Sequence, residues 1–428
     1  MQPPIYWSWR TSPKISRSKM PSSSKASVST PSPAASDPTL WHILSFVFFT
    51  FIVYMSIGLP LAVLPPYVHL RMGYSAALAG LVISIQYIAT LLSRPWAGHI
   101  SDRVGAKVSV LWGMGACSAS GAVLMVAAAL HAIPWLSILF LILSRLVLGV
   151  GESLGSTGST LWGISSAGQA STAKIISFNG ISTYGAMALG APLGVALDSL
   201  WSNPQWGLAS IGLLTLLIGA LSLTLACRKS AVPVTPGEHL SFGHVLGRVS
   251  SHGMGLALGG VGYSVLATFI TLFYLSRHWA GAALCLTVFG LAFITARLIF
   301  IQTINRFGGF PVAIVCLAVE SLGLLLLWLA ASPWMALAGA AITGFGFSLV
   351  FPAFGVEAVK RVAVNSRGAA LAVFTAFADV SFFLVGPLAG VVIGYCGYSS
   401  VFAFALVCVV GALGIAIVLR QQPMDERV

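Results

Sequence analysis

What most limits this chain is its series of apolar runs, at about 41–66, 75–98, 106–130, 134–158, 175–198, 206–227, 248–276, 281–304, 310–331, 333–358, 369–393 and 397–419. About 20 such residues cross the hydrocarbon core of a bilayer as a helix. The runs are continuously apolar, not alternating, which argues against a transmembrane β-barrel. Of the 428 residues 57% are hydrophobic and 7% charged, where a soluble domain carries about 25% charged residues. Too few charges remain to cover a water-facing surface. The expected fold is an all-α membrane protein with twelve transmembrane helices in two pseudo-symmetric six-helix bundles.

The pairing of bundles rests on a repeat. Arg94, Asp102, Arg103 and Gly105 recur as Arg297, Asn305, Arg306 and Gly308, each 203 residues further on. Both sets sit where one apolar run gives way to the next. Gly149-Val-Gly151-Glu152-Ser153-Leu154 in the fourth run matches Gly344-Phe-Gly346-Phe347-Ser348-Leu349 in the tenth. The fifth run holds Gly190, Pro192 and Gly194, and the eleventh holds Gly386, Pro387 and Gly390. Small residues at this spacing let helices approach closely, and proline bends them. Duplicated helical sets of this kind belong mainly to transporters.

Lysine and arginine set the orientation. With both termini inside, 17 of the 22 fall on inside segments; Arg71 and Arg277 lie outside, and Arg94, Arg145 and Arg297 lie within or at the ends of spans. The expected organisation is a disordered cytoplasmic tail at 1–40, a bundle at 41–227, a linker at 228–247, a bundle at 248–420 and a short tail at 421–428.

The net charge of +12 lies in loops and tails, not on a soluble domain, so nucleic acid is not an expected partner. The six cysteines are scattered without CxxC or Cys/His spacing, so neither a disulfide framework nor a metal site is expected. There is no Gly-x-x-x-x-Gly-Lys-Ser/Thr loop for a nucleotide, and no nucleophile–base set. An enzyme, a cofactor and direct ATP drive are therefore not expected.

On these residues the chain resembles the major facilitator superfamily. Gly98, Asp102, Arg103, Gly105 and Lys107 are similar to the family's loop signature between helices two and three, with Ala106 where arginine is usual. Arg145-x-x-x-Gly149-x-Gly151 is similar to the fourth-helix signature of its proton-driven branch. Gly190-Ala-Pro192-Leu-Gly194 is similar to the fifth-helix signature of its antiporters, with the proline displaced. Segments such as SIGLPLAVLPPYV and GFSLVFPAFGVEAVK most resemble the YhhS/YfcJ group of bacterial transporters. The resemblance implies a monomeric protein of the bacterial inner membrane, exporting a small organic molecule (drug, sugar or metabolite) by proton-coupled alternating access. Sugar or metabolite uptake, or a receptor that binds without transport, are the alternatives.

Charges within lipid are costly unless they pair or serve a pathway. Asp379, without an acid or base one turn away, and Glu152 are the expected proton carriers, with Arg145 modulating them. Arg297 is the alternative, purely structural partner of Asp379. Arg145 and Glu152 share a helix face about 10 Å apart, too far for a direct pair. Asp102 and Arg103 read as a gate latch, Gly98 and Gly105 as turn and close-approach residues, and Lys107, Asn305, Arg306 and Gly308 complete the loop motif. Glu320 reads as a structural hydrogen-bonding acid and Glu357 as a solvated helix end, with a gate ion pair beside Lys360 and Arg361 as its alternative. Gln86, Tyr87, Asn179, Tyr184, Tyr263, Tyr274 and Phe347 are the expected cavity lining, suited to an amphipathic molecule.

Overall fold

A computed structural model describes residues 40–168, 171–232, 242–300, 302–362 and 367–421. The tail up to residue 39, the linker from 233 to 241 and the last seven residues lie outside them.

The first half comprises α1 (Leu40–Leu61), α2 (Leu64–Pro66) with a π-helical turn Tyr67–Arg71, α3 (Ala76–Ile100), α4 (Ala106–Ala129), α5 (Pro134–Ala167), α6 (Thr172–Ser199) and α7 (Pro204–Arg228). The second comprises α8 (Phe242–Gly259), α9 (Val261–Ser276), α10 (Ala282–Phe300), the short α11 (Thr303–Phe307), α12 (Gly309–Trp328), α13 (Pro333–Phe347), α14 (Val350–Lys360), α15 (Arg367–Cys396) and α16 (Ser400–Gln421).

Among the described residues eleven stretches are long and apolar enough to cross a membrane, and one of them, Ala76–Ala129, runs for 54 residues. A straight helix of that length would measure about 80 Å, against a hydrocarbon core of about 30 Å. It is two crossings, folded back at a π-helical turn, Ser101–Gly105, where Gly105 has φ +122°. Gly308, its repeat counterpart, has φ +86°. The total is twelve. α1, α2 and the following turn form one crossing, α8 and α9 another, α13 and α14 a third.

Local chemistry starts the helices. Ser75 and Ser332 accept the backbone N–H of Leu78 and Met335, capping α3 and α13. Pro134, Pro204 and Pro333 occupy first positions, where a missing N–H costs nothing. Lipid-facing positions keep large apolar side chains exposed, among them Leu92, Trp112, Leu217, Leu298 and Val407.

Within each bundle small residues let equivalent helices touch. A Cβ on Gly113 of α4 would lie 2.6 Å from Gly155 Cα of α5; one on Gly339 of α13 would lie 2.9 Å from the Gly323 carbonyl of α12. Two helix pairs make most of the contact between the bundles, α3 with α15 and α6 with α10. On the first seam a Cβ at Gly80 would sit 2.2 Å from the Gly386 carbonyl oxygen, and one at Gly390 would sit 2.4 Å from Ala77 Cα. On the second, Thr287 donates to the Ala188 carbonyl at 2.9 Å. These contacts lie toward the end opposite the Asp102 turn, here called the far end. There His69 Nε2 and the Tyr398 hydroxyl also lie 2.9 Å apart, joining the halves.

The duplicated Gly/Pro motif therefore does two jobs. Gly386 and Gly390 pack across a seam, whereas Gly190 and Gly194 pack within the first bundle against Gly58 and Leu59 of α1. Pro192 and Pro387 both lie inside their helices.

Candidate functional site

Most of the buried charges among the described residues lie near the seams between the bundles, Glu320 excepted. Arg145 is 2% exposed, Glu152 3%, Asp379 3% and Arg297 5%.

Glu152 projects from α5 toward α3. Its Oε2 accepts from Thr90 Oγ1 at 3.0 Å and from Gln86 Nε2 at 3.4 Å. Gln86 Oε1 in turn accepts from Arg145 Nη1 at 3.2 Å. The amide thus bridges the seven-residue separation that no direct ion pair spans. Gly149 permits the close approach of α3: a Cβ there would lie 2.2 Å from the Gln86 carbonyl oxygen. Tyr54 of α1 stands within charge reach of Glu152, Arg94 and Asp379.

Asp379 is not isolated. Its partner is Arg94 of α3, not a second-half arginine: Nε donates to Oδ2, and Nη2 donates to Oδ1 at 2.9 Å. This two-pronged pair crosses the first seam. Counting residues from Asp379 along α15 could not reveal it, because the partner lies 285 positions away. Glu152 lies within charge reach of both Asp379 and Arg94.

Arg297 of α10 does something else. Nη2 donates to the Ser348 carbonyl at 2.5 Å. That carbonyl lies at the break between α13 and α14, which Ser348 Oγ also pins by donating to the Phe293 carbonyl at 2.7 Å. The guanidinium carbon stands 4.9 Å from the Phe293 ring centroid. Across the second seam it lies on Gly180 of α6, where a Cβ would be 2.4 Å from Nη1. Arg297 Nε and Arg145 Nη2 have no acceptor among the described residues.

Beside Arg297 lies an aromatic cluster. The Tyr184 and Phe293 centroids are 3.8 Å apart; Tyr263 and Phe347 stack at 6.0 Å with 5° between planes. Tyr184 meets Tyr263 edge-on at 5.3 Å, and Tyr87 meets Phe382 edge-on at 5.1 Å.

Other expected site residues lie elsewhere. Tyr274 is about 16 Å along the helix from Tyr263. Its hydroxyl donates to the Pro333 carbonyl at 3.1 Å, and its ring meets Trp279, so it braces the far end and does not line the cluster. Asn179 donates to Thr160 Oγ1 at 2.7 Å, tying α6 to α5. Glu320 is 0% exposed against Gly262, with neither oxygen hydrogen-bonded among the described residues, which removes the structural hydrogen bond expected of it. Glu357 accepts from the Gly309 N–H and from Lys360, each at 2.9 Å, so it caps α12 and is not merely solvated.

At the Asp102 turn, Asp102 and Arg103 are exposed and form no ion pair or hydrogen bond among the described residues. Lys107 donates to the Cys227 carbonyl at 2.9 Å, closing the end of α7. Arg306 rests over the Phe307 ring, and Asn305 is exposed. Nothing lies within 4 Å of a Cβ built on Gly98, so close contact does not demand glycine there.

Sequence reasoning missed Arg94, Thr90 and Phe293 as members of the interior site and gave Arg297 only as a structural partner of Asp379. The available signal was the repeat itself, which set both arginines at equivalent positions in helices that turn out to form the seams.

Two six-helix bundles around charged seams define a membrane transporter. The family model of the Major Facilitator Superfamily matches residues 4–191, 46–310 and 253–428. An uncharacterised MFS-type transporter of Pseudomonas aeruginosa (strain LESB58) is 54% identical over 396 residues, covering 92% of this chain and 97% of its own. Among solved structures, a D-xylose–proton symporter superposes with TM-score 0.70 at 18% identity, over 87% of this chain and 97% of its own. A point mutant of the nucleoside transporter NupG does so with TM-score 0.67 at 17% identity, over 88% and 99%. The chain belongs to the Major Facilitator Superfamily: it is a multi-pass transporter of small molecules, not an enzyme.

Proposed function

We propose that the protein couples protons to the export of a small organic molecule, acting as a monomer in the bacterial inner membrane. The Asp102 turn and both termini face the cytoplasm, in keeping with the 17-to-2 distribution of lysine and arginine between the two sides. Likeness to the YhhS/YfcJ group and the antiporter-like Gly190–Gly194 segment support export.

The observation that carries the reading is the setting of Glu152, hydrogen-bonded to Thr90 and Gln86 and within charge reach of the cross-seam pair Arg94–Asp379. Ionised, Glu152 holds Gln86, and through it Arg145. Protonated, it loses one acceptor charge and loosens that chain. Its charge state therefore changes the balance around Arg94, which holds the first seam together. Asp102 and Arg103 are free to latch the cytoplasmic end when it closes. One proton moving down 100 mV provides about 2.3 kcal/mol.

Reconstitution into pyranine-loaded liposomes with a panel of sugars, nucleosides and organic acids tests this. Proton movement should depend on substrate and be lost in Glu152→Gln and Asp379→Asn. Undiminished coupling in both variants refutes the assignment.

A second reading, uptake by symport, rests on the interior charges: among the described residues at the seams three arginines, Arg94, Arg145 and Arg297, stand against two acids, Glu152 and Asp379. A load bound beside an arginine together with a proton would enter with it. Accumulation in right-side-out vesicles under an inward proton gradient marks uptake; accumulation in everted vesicles under the equivalent gradient marks export.

A further inference from the structure

The two seams are built on the same plan, and one of them lacks its acid. Arg94 and Arg297 occupy matching positions, 203 residues apart, each on a seam helix. Around Arg94 two carboxylates are within reach: Asp379 from the facing bundle and Glu152 from its own. Around Arg297 the corresponding places hold no carboxylate. The counterpart of Glu152 in the matched fourth- and tenth-helix motif is Phe347. The facing helix α6 offers Gly180 and Tyr184 instead of an aspartate.

Arg297 is therefore a buried cation without an acid among the described residues. Its one hydrogen bond goes to the neutral Ser348 carbonyl, and its Nε has no acceptor. Glu320 does not serve, because it lies against Gly262 and Cys316 in the core of the second bundle. An uncompensated buried guanidinium is costly, and such a charge inside a membrane marks a ligand pathway. Two features keep the group in place at that cost. The break between α13 and α14 presents the carbonyl that holds it, and Gly180 leaves the space it fills. Beside it the Tyr184 and Phe293 rings form an apolar floor, with Tyr184 half-buried.

We infer that the transported substrate is a small organic anion, its acidic oxygens received by Arg297 and its apolar body lying on the Tyr184–Phe293 pair. The substrate supplies at the second seam what Asp379 supplies at the first. Because Arg297 belongs to one bundle and Gly180 and Tyr184 to the other, the bound anion would join the halves. The word "transported" rests on the function proposed above; the binding site does not.

The test is binding by the full-length purified protein, in matched pairs of probes: benzoate against benzamide, 3-phenylpropionate against its amide, with phenylphosphonate as a second acidic head. The acids should raise Tm and bind saturably, and the amides should bind about tenfold or more weaker. Arg297→Gln should abolish the preference for acid over amide, Arg297→Lys should keep part of it, and Gly180→Ala should weaken acid binding by crowding Nη1. If Arg297→Gln does not fold, the wild-type pairs and Gly180→Ala still decide. Amides binding as well as acids, no acid binding at all, or a folded Arg297→Gln with its preference intact each overturns the inference. Proton-driven flux of a neutral sugar without acid binding would remove this proposal and leave proton coupling standing. Acid binding without proton movement would do the reverse.

Discussion

The first seam holds its arginine with the protein's own acid; the second leaves its arginine open. Both use close contact at glycine to bring a helix of each bundle together, Gly80 against Gly386 in one and Gly290 against the Ala188 methyl and the Tyr184 carbonyl in the other. They differ in what fills the middle. On α3 and α15 it is the Arg94–Asp379 pair, on α6 and α10 a cation beside rings. A self-satisfied seam can act as a hinge or lock. A seam without its acids would, on the inference above, close on an acidic ligand. The two interfaces are similar in plan, and they differ in the acids, Asp379 and Glu152, that stand near the arginine of one and have no counterpart among the described residues near the arginine of the other.

Turning the first seam into a copy of the second should have the largest effect. Asp379→Asn leaves the partly buried Arg94 without its paired acid, and breaking such a pair costs up to about 3–5 kcal/mol. Thermal unfolding should show a large drop in Tm, and proton-driven flux should vanish. The exchanged pair Arg94→Asp with Asp379→Arg should recover much of the Tm. A variant Asp379→Asn as stable and active as the parent would erase the distinction between the seams.

The reverse conversion comes next. Tyr184→Glu places a carboxylate beside Arg297, and benzoate affinity should fall about tenfold or more while stability holds. Tyr184→Gln, without the charge, should lose much less. Equal losses in the two would mean that the ring, not the counter-charge, governs binding.

Forcing the first seam apart is a smaller perturbation. Gly80→Ala puts a methyl 2.2 Å from the Gly386 carbonyl oxygen, an overpacking that costs about 1–3 kcal/mol. Flux should slow, since the far end cannot seal; unchanged Tm and flux would show that α3 and α15 need no close contact. The smallest effect belongs to the rim: Tyr398→Phe removes one cross-bundle hydrogen bond, to His69, worth about 1 kcal/mol by denaturation. Gly98→Ala, which meets nothing, should stay within about 0.5 kcal/mol and serves as the reference.

The sites were less legible than the fold, for a physical reason. Crossing helices announce themselves by length and apolarity, so even the fold-back at Gly105 lay where charged residues interrupt an apolar run. Partners at the seams follow no spacing rule. Asp379 looked unpaired because its neighbours in sequence are apolar, while Arg94 reaches it from the opposite bundle. Gln86, read as cavity lining, links Arg145 to Glu152, a role its place in the sequence does not announce. Tyr274 shared its helix with Tyr263 but braces the far end, because a helix crossing the membrane carries residues about 16 Å apart into different surroundings.

The amino-acid sequence by itself determined a membrane protein of two related bundles, since hydrophobic length, loop charge and repeat spacing are properties of the chain read along its own axis. Only the tertiary structure decided which of its few buried charges meet. The membrane interior leaves those charges no water to turn to, so their meaning lies entirely in what stands opposite them, and that is fixed by how the two halves close.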